Sequence, residues 1–218
     1  MTRQSVRECI TRTGIVPAFR LSSFEDTVFG VETVAESGIP IAEVTLTTPG
    51  ALEVIAHLAC SKPELIVGAG TVLDLETARR CLDAGAKFLS SPGLDLDIVD
   101  FAVKHDIAVL PGALTPSEIM AAAKAGADLI KVYPCSLMGG PVYIRTLRAP
   151  FRGLALIAAG GVTQQTAPEF ILAGATALGV GRDLVNPEAV RRRMPDWIRE
   201  LTGRFLEIIA EARSRGSA

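Results

Sequence analysis

The sequence predicts an α/β fold, a (β/α)8 TIM barrel with a short extra N-terminal helix. Three observations lead there. Eight short β-branched runs alternate with longer amphipathic segments. The connections between them are short, which requires parallel strands joined by right-handed crossovers. The strands are also apolar almost throughout, as burial on both faces demands.

Taken in order, a leading helix is expected over 3–11. The first strand, 14–20 (GIVPAFR), is followed by a helix over 23–37. The second, 41–46 (IAEVTL), precedes a helix at 50–61, and the third, 65–69 (LIVGA), one at 74–84. The fourth and fifth, 87–91 (KFLSS) and 107–111 (IAVLP), lead into helices at 95–105 and 116–125. The sixth, 128–133 (DLIKVY), is followed by 141–148, and the seventh, 154–159 (LALIAA), by 164–173. The eighth, 176–180 (TALGV), is followed by a helical stretch over 188–213, broken at Pro195. No linker or low-complexity stretch divides the chain, so one barrel domain over 1–218 is expected. Eight units in 218 residues lie near the lower size limit of such barrels.

Composition narrows the function. With 22 Lys+Arg against 24 Asp+Glu the chain carries a net charge of −2, which argues against a nucleic-acid binder. A mean hydropathy of +0.35 excludes a disordered chain. Surface scaling gives roughly 9,600 Å² for the folded chain, with about 70% of the unfolded surface buried. No apolar run approaches the roughly 20 residues of a membrane helix, and the N-terminal stretch has no signal-peptide core. Cys9, Cys60, Cys81 and Cys135 are scattered without CxxC spacing. A cytoplasmic protein with reduced thiols and no zinc site is expected.

An internal repeat places the chemistry. The phrases ESGIPIAEV, DAGAKFLSS, KAGADLIKV and LAGATALGV each carry a glycine suited to the left-handed position after a helix: Gly38, Gly85, Gly126 and Gly174. Five residues beyond them stand Glu43, Ser90, Lys131 and Gly179, at one register on the second, fourth, sixth and eighth strands. Alternate strands of a barrel supply one layer of inward side chains. If Lys131 points inward, Glu43 shares its layer and the two can meet near the axis.

Burying an ammonium is costly unless it is paired or loses its proton, and a free amine is what imine formation with a carbonyl needs. Glu43 is a second charge in an apolar strand, suited to acid/base work or to a structural ion pair. Gly160-Gly161 and Gly181-Arg182 follow the last two strands, where barrels often bind phosphate through backbone N–H groups and a helix N-terminus. Arg182 adds a donor for phosphate or carboxylate, and Arg20, ending the first strand, can clamp a carboxylate. Thr45, Thr47 and Thr71 lie near other strand mouths, where threonine is also an ordinary strand residue. The histidines, His57 and His105, fall on helices, which disfavours a metal-dependent aldolase or a Ser-His hydrolase. Three readings stand at this point: an imine-forming enzyme, a phosphate-binding isomerase or synthase barrel, and a non-catalytic ligand-binding barrel.

In this order, IAEVTLTTP, IVGAGTVL, SPGL, VLPGALTPSE, LIKVYP, AAGGVT and GVGRDLV resemble the 2-dehydro-3-deoxy-phosphogluconate / 4-hydroxy-2-oxoglutarate aldolases, including the 2-dehydro-3-deoxy-6-phosphogalactonate aldolases. The resemblance covers roughly residues 10–190. It implies a class I, metal-free aldolase without cofactor, homotrimeric, whose partners are small 2-oxo acids and aldehydes, with no nucleic acid or membrane. It implies Lys131 as the Schiff-base lysine and Glu43 as general acid/base. Thr71 then stands near the pyruvate carboxylate, Pro92 and Tyr133 line the pocket, and Gly160, Gly161 and Gly181 match the phosphate turns. Two positions depart from the pattern. Thr47 occupies the place of an arginine that often holds the pyruvate carboxylate, a role that Arg20 can fill. Arg182 stands where many members have serine beside the phosphate.

Overall fold

A computed structural model describes residues 1–216. Strands β1 (Ile15–Phe19), β2 (Ile41–Thr45), β3 (Ile66–Gly70), β4 (Phe88–Ser90), β5 (Ala108–Leu110), β6 (Gly112–Ala113), β7 (Ile130–Val132), β8 (Leu156–Ala159) and β9 (Ala177–Val180) form one parallel sheet. Its order is β5-β4-β3-β2-β1-β9-β8-β7-β6. The two ends of that order, β5 and β6, are consecutive in the chain and separated only by Pro111. They are two halves of the fifth barrel strand, so the ring closes and the (β/α)8 architecture holds. Proline has no N–H to give a ladder, which is why the expected run 107–111 splits here. Its carbonyl still serves, accepting from Lys131 N–H at 2.9 Å.

The surrounding helices are α1 (Arg3–Thr13), α2 (Phe24–Glu36), α3 (Ala51–Ser61), α4 (Leu75–Asp83), α5 (Leu96–Lys104), α6 (Pro116–Lys124), α7 (Pro141–Arg148), α8 (Ala167–Leu172), α9 (Pro187–Arg191) and α10 (Pro195–Gly216). Three helices begin as their sequences dictate. Ser23 and Asp74 accept the N–H three residues on, and Thr115 with Glu118 forms a reciprocal capping box. The helix expected over 164–173 is shorter at its start. Thr163 and Thr166 bond to each other and hold residues 163–166 as a turn.

The repeat has the expected geometry. Gly38, Gly85, Gly126 and Gly174 take φ of +105°, +91°, +92° and +98°, each turning the chain from a helix into the next strand. The core lies between strands and helices, with Phe19, Phe88, Phe170 and Phe205 fully buried. The exposed surface is 9775 Å², close to the area that chain mass predicts.

Helix α1 packs across the end where strands enter, touching β1, β5 and β9. Arg3 clamps Asp128 there, Nε lying 2.8 and 2.7 Å from the two carboxylate oxygens, and Val109 N–H donates to the same carboxylate at 2.9 Å. Arg213, near the end of α10, donates to the Arg12, Thr11 and Thr176 carbonyls and ties the last helix to the first. Among the described residues no helix is long and apolar enough to cross a membrane.

Candidate active site

Lys131 is the middle residue of β7, and both of its neighbours face the helices as buried apolar side chains. Period-two alternation therefore sends Lys131 into the barrel. Its side chain is 11% exposed, with Nζ 3.7 Å from Glu43 Oε1, itself 8% exposed. The shorter contact is to Ser90. Lys131 Nζ donates to Ser90 Oγ at 2.7 Å, and Ser90 is 1% exposed. Three members of the repeat layer, from β2, β4 and β7, thus meet at one nitrogen.

Glu43 has room because of a glycine. Gly70, at the end of β3, leaves its Cα bare beside that carboxylate. A Cβ built there would overlap the Glu43 carboxylate and its Cγ. The Tyr133 ring completes the surroundings, its centroid 5.9 Å from Nζ.

A cavity of about 300 Å³ opens from this group to solvent at the strand-exit end. Ala18 and Gly179 line its wall, and Arg20, Tyr133, Gly160, Gly161, Gly181 and Arg182 line its mouth with Asp183. Arg20 and Arg182 are exposed, and neither guanidinium has a side-chain partner among the described residues. Two unpaired cations over one cavity suit an anionic ligand.

The double glycine has a steric cause as well. Gly160 and Gly161 take φ of +84° and +89°, and a Cβ on Gly160 would lie 2.9 Å from the Pro134 backbone. Cys135 and Ser136 N–H groups donate to the Ala159 and Gly160 carbonyls, lacing this turn to the one after β7. The following helices start only at Ala167 and Pro187, so turn backbone, rather than a helix N-terminus, faces the cavity.

Not every expected residue gathers here. Thr71 and Pro92 are half-buried and are not among the residues lining the cavity. Thr71 takes a left-handed φ of +61°, and the Pro92 carbonyl abuts Gly112. Thr45 is spent on structure, donating to the Phe19 carbonyl at 3.0 Å and pairing with Thr47 at 2.9 Å. The cysteines lie off the lumen contacts: burial pushes the Cys135 and Cys81 thiols up to about 11, which keeps them protonated. His57, on α3, packs edge-on to Phe24, and His105, capping the end of α5, contacts the Phe101 carbonyl at 2.8 Å.

Sequence reasoning missed Asp183 and the direct contact of Ser90. For Ser90 the signal existed, since the glycine-plus-five register put it in the layer of Lys131.

The sequence matches the KDPG and KHG aldolase family over residues 6–201, nearly the whole chain. The chain belongs to that family. A 2-dehydro-3-deoxy-phosphogluconate aldolase of Pseudomonas aeruginosa is 32% identical over 201 residues, 91% of this chain and 90% of that one. The native KDPGal structure superposes with a TM-score of 0.82 at 28% identity, covering 91% of this chain and 96% of the other. A KDPG aldolase from Legionella pneumophila, with pyruvate captured at low pH as a covalent carbinolamine, superposes at 0.83 with 25% identity, over 93% of this chain and 97% of that one. The present KDPG/KHG-family chain is accordingly a lyase, a class I aldolase of the Schiff-base type. Within its site, two arginines stand at the mouth and a serine lies on the lysine.

Proposed function

We propose that this aldolase cleaves a 2-oxo-3-deoxy sugar acid, 6-phosphorylated, or 4-hydroxy-2-oxoglutarate, reversibly to pyruvate and an aldehyde. Lys131 forms the imine and Glu43 moves the protons. The carrying observation is a nearly buried lysine amine 3.7 Å from a nearly buried carboxylate, at the floor of a cavity whose mouth carries two unpaired arginines.

The steps follow from that placement. Lys131 Nζ, as free amine, adds to the C2 carbonyl and gives a carbinolamine, which loses water to a protonated imine. Glu43, directly or through a water, takes the proton of the C4 hydroxyl. The C3–C4 bond breaks, its electrons move into the imine to form an enamine, and the aldehyde departs. The enamine is protonated at C3, and water hydrolyses the resulting imine, freeing pyruvate and the amine.

Arg20 and Arg182 hold the anionic ends of the substrate, Arg20 taking the carboxylate and Arg182 with Gly160, Gly161 and Gly181 the distal group. Thr71, Pro92 and Tyr133 shape the pocket when substrate is bound. The resemblance supports a homotrimer in the cytoplasm. One structural relative sits in a cube-shaped cage designed by fusing symmetric oligomeric domains, at a TM-score of 0.83.

The test is reductive trapping. Borohydride with pyruvate is expected to add one reduced pyruvate to Lys131, located by peptide mass spectrometry. Labelling that persists in Lys131→Ala, or none in the parent protein, overturns the assignment. A cleavage panel of the two phosphorylated epimers, their unphosphorylated forms and 4-hydroxy-2-oxoglutarate then identifies the substrate. Preference for the unphosphorylated acids would remove Arg182 from its role.

A further inference from the structure

We propose that Ser90 is a positioning residue for the reaction, holding the Lys131 nitrogen for attack and then accepting from the protonated imine. This rests on the reading of Lys131 as the imine-forming lysine. The closest polar atom to Nζ is the Ser90 hydroxyl oxygen, at 2.7 Å, a full ångström nearer than the Glu43 carboxylate. Ser90 is 1% exposed, so no bulk water competes for that oxygen. Its backbone is fixed on both sides, paired in register with Leu110 and accepting at its carbonyl from Val72 N–H at 3.1 Å. The oxygen therefore sits on a rigid strand, not on a mobile loop.

A four-carbon side chain brings an amine into a lumen with considerable rotational freedom. Two partners on different strands remove it. With one N–H given to Ser90 on β4 and Glu43 facing the nitrogen from β2, a corner of the tetrahedral nitrogen is left for the lone pair that attacks the carbonyl. Once the imine has formed, its nitrogen carries a single N–H. A hydroxyl that accepts it favours the charged, electron-withdrawing form of the imine, which bond cleavage requires. Glu43 is then relieved of that contact and free to serve the C4 hydroxyl. The other charged or titratable groups facing the same space are Tyr133, Arg20, Arg182 and Asp183, which the test leaves unchanged.

The experiment compares Ser90→Ala, Ser90→Cys and Ser90→Thr with the parent in the full-length protein. It measures kcat and KM for pyruvate release and the rate of borohydride trapping with pyruvate against pH. Loss of a hydrogen bond to a charged group is expected to lower kcat about ten- to hundredfold in the Ala and Cys variants, with KM nearly unchanged. The pH profile of trapping shifts in both, and Ser90→Thr restores rate and profile to within a few-fold. Melting temperatures report separately on packing. Ser90→Ala with kcat and pH profile matching the parent overturns the proposal, as does an active Ser90→Cys, which keeps volume but loses the oxygen. If the parent itself is not trapped at Lys131, the underlying reading fails. If trapping stays at Lys131 while the Ser90 variants behave as the parent does, only the role of Ser90 fails.

Discussion

Gly70 governs Glu43 from outside the cavity lining. It lies in β3 paired with Thr45, and its missing side chain is the space the carboxylate occupies. Its φ is not left-handed, so alanine suits the backbone, and only the clash remains. Gly70→Ala is expected to fold and to displace the Glu43 carboxylate. Misplacement of about 1 Å at a reacting group costs about a hundredfold, so kcat for aldehyde release should fall by ten- to hundredfold. Steady-state kinetics beside a thermal melt checks it; unchanged kcat in a folded variant would show that Glu43 works from another position. Lys131 and Glu43 were legible in the sequence because both are charges in apolar strands and both stand at one offset from a turn glycine. Ser90 stands at the same offset, so its layer was legible, but its contact was not, since a serine in a strand is chemically ordinary until its distance to the amine is known. Nor did the sequence separate Thr71 and Pro92, outside the cavity lining, from Tyr133, within it.

At the scale of elements, the boundaries follow local chemistry. Helix α6 opens with Thr115 accepting from Glu118 N–H while the Glu118 carboxylate accepts from Leu114 and Thr115 N–H groups. Those backbone donors hold the Glu118 carboxyl below its ordinary range. Because the folded state binds its proton less readily than the unfolded one, the contribution is fully present above the ordinary glutamate value and is lost as pH falls through the lowered one. Glu118→Ala should destabilise by roughly 0.3–1.5 kcal/mol at neutral pH. That difference should shrink in acid, as denaturant melts at several pH values would show. A difference independent of pH would mean that packing, rather than charge, sets it. Eight strand runs and their intervening helices could be read in advance because the apolar periods are strong. The break at Pro111 could not, since a proline ending an apolar run reads as a strand terminus. Only the closed ring shows that the strand continues and changes partner there.

At the scale of the molecule, the barrel has a working end and a closed end. The closed end is held by Arg3 on Asp128, a buried carboxylate that also anchors the start of β7 and β5. Arg3→Ala leaves that charge with backbone donation alone and is expected to cost about 1.5–3 kcal/mol, the value of hydrogen bonds to a charged group. For a chain of this length that corresponds to a drop in Tm of roughly 3–12 °C. The kinetic constants should stay unchanged, because the contact lies at the strand-entry end, away from the cavity. A melt and a steady-state assay on the same preparation separate the two; lost activity with an unchanged Tm would contradict the division between ends.

The five-residue count from turn to lumen behaves as a ruler. Because consecutive residues in a strand point to opposite sides, lengthening or shortening any one of the four turns by a single residue would reverse what faces inward. Between Gly126 and Lys131 it would exchange the amine for an aliphatic neighbour and drive a charge into the greasy belt beneath the helices. These four short joints are bound to a fixed measure by the chemistry they deliver.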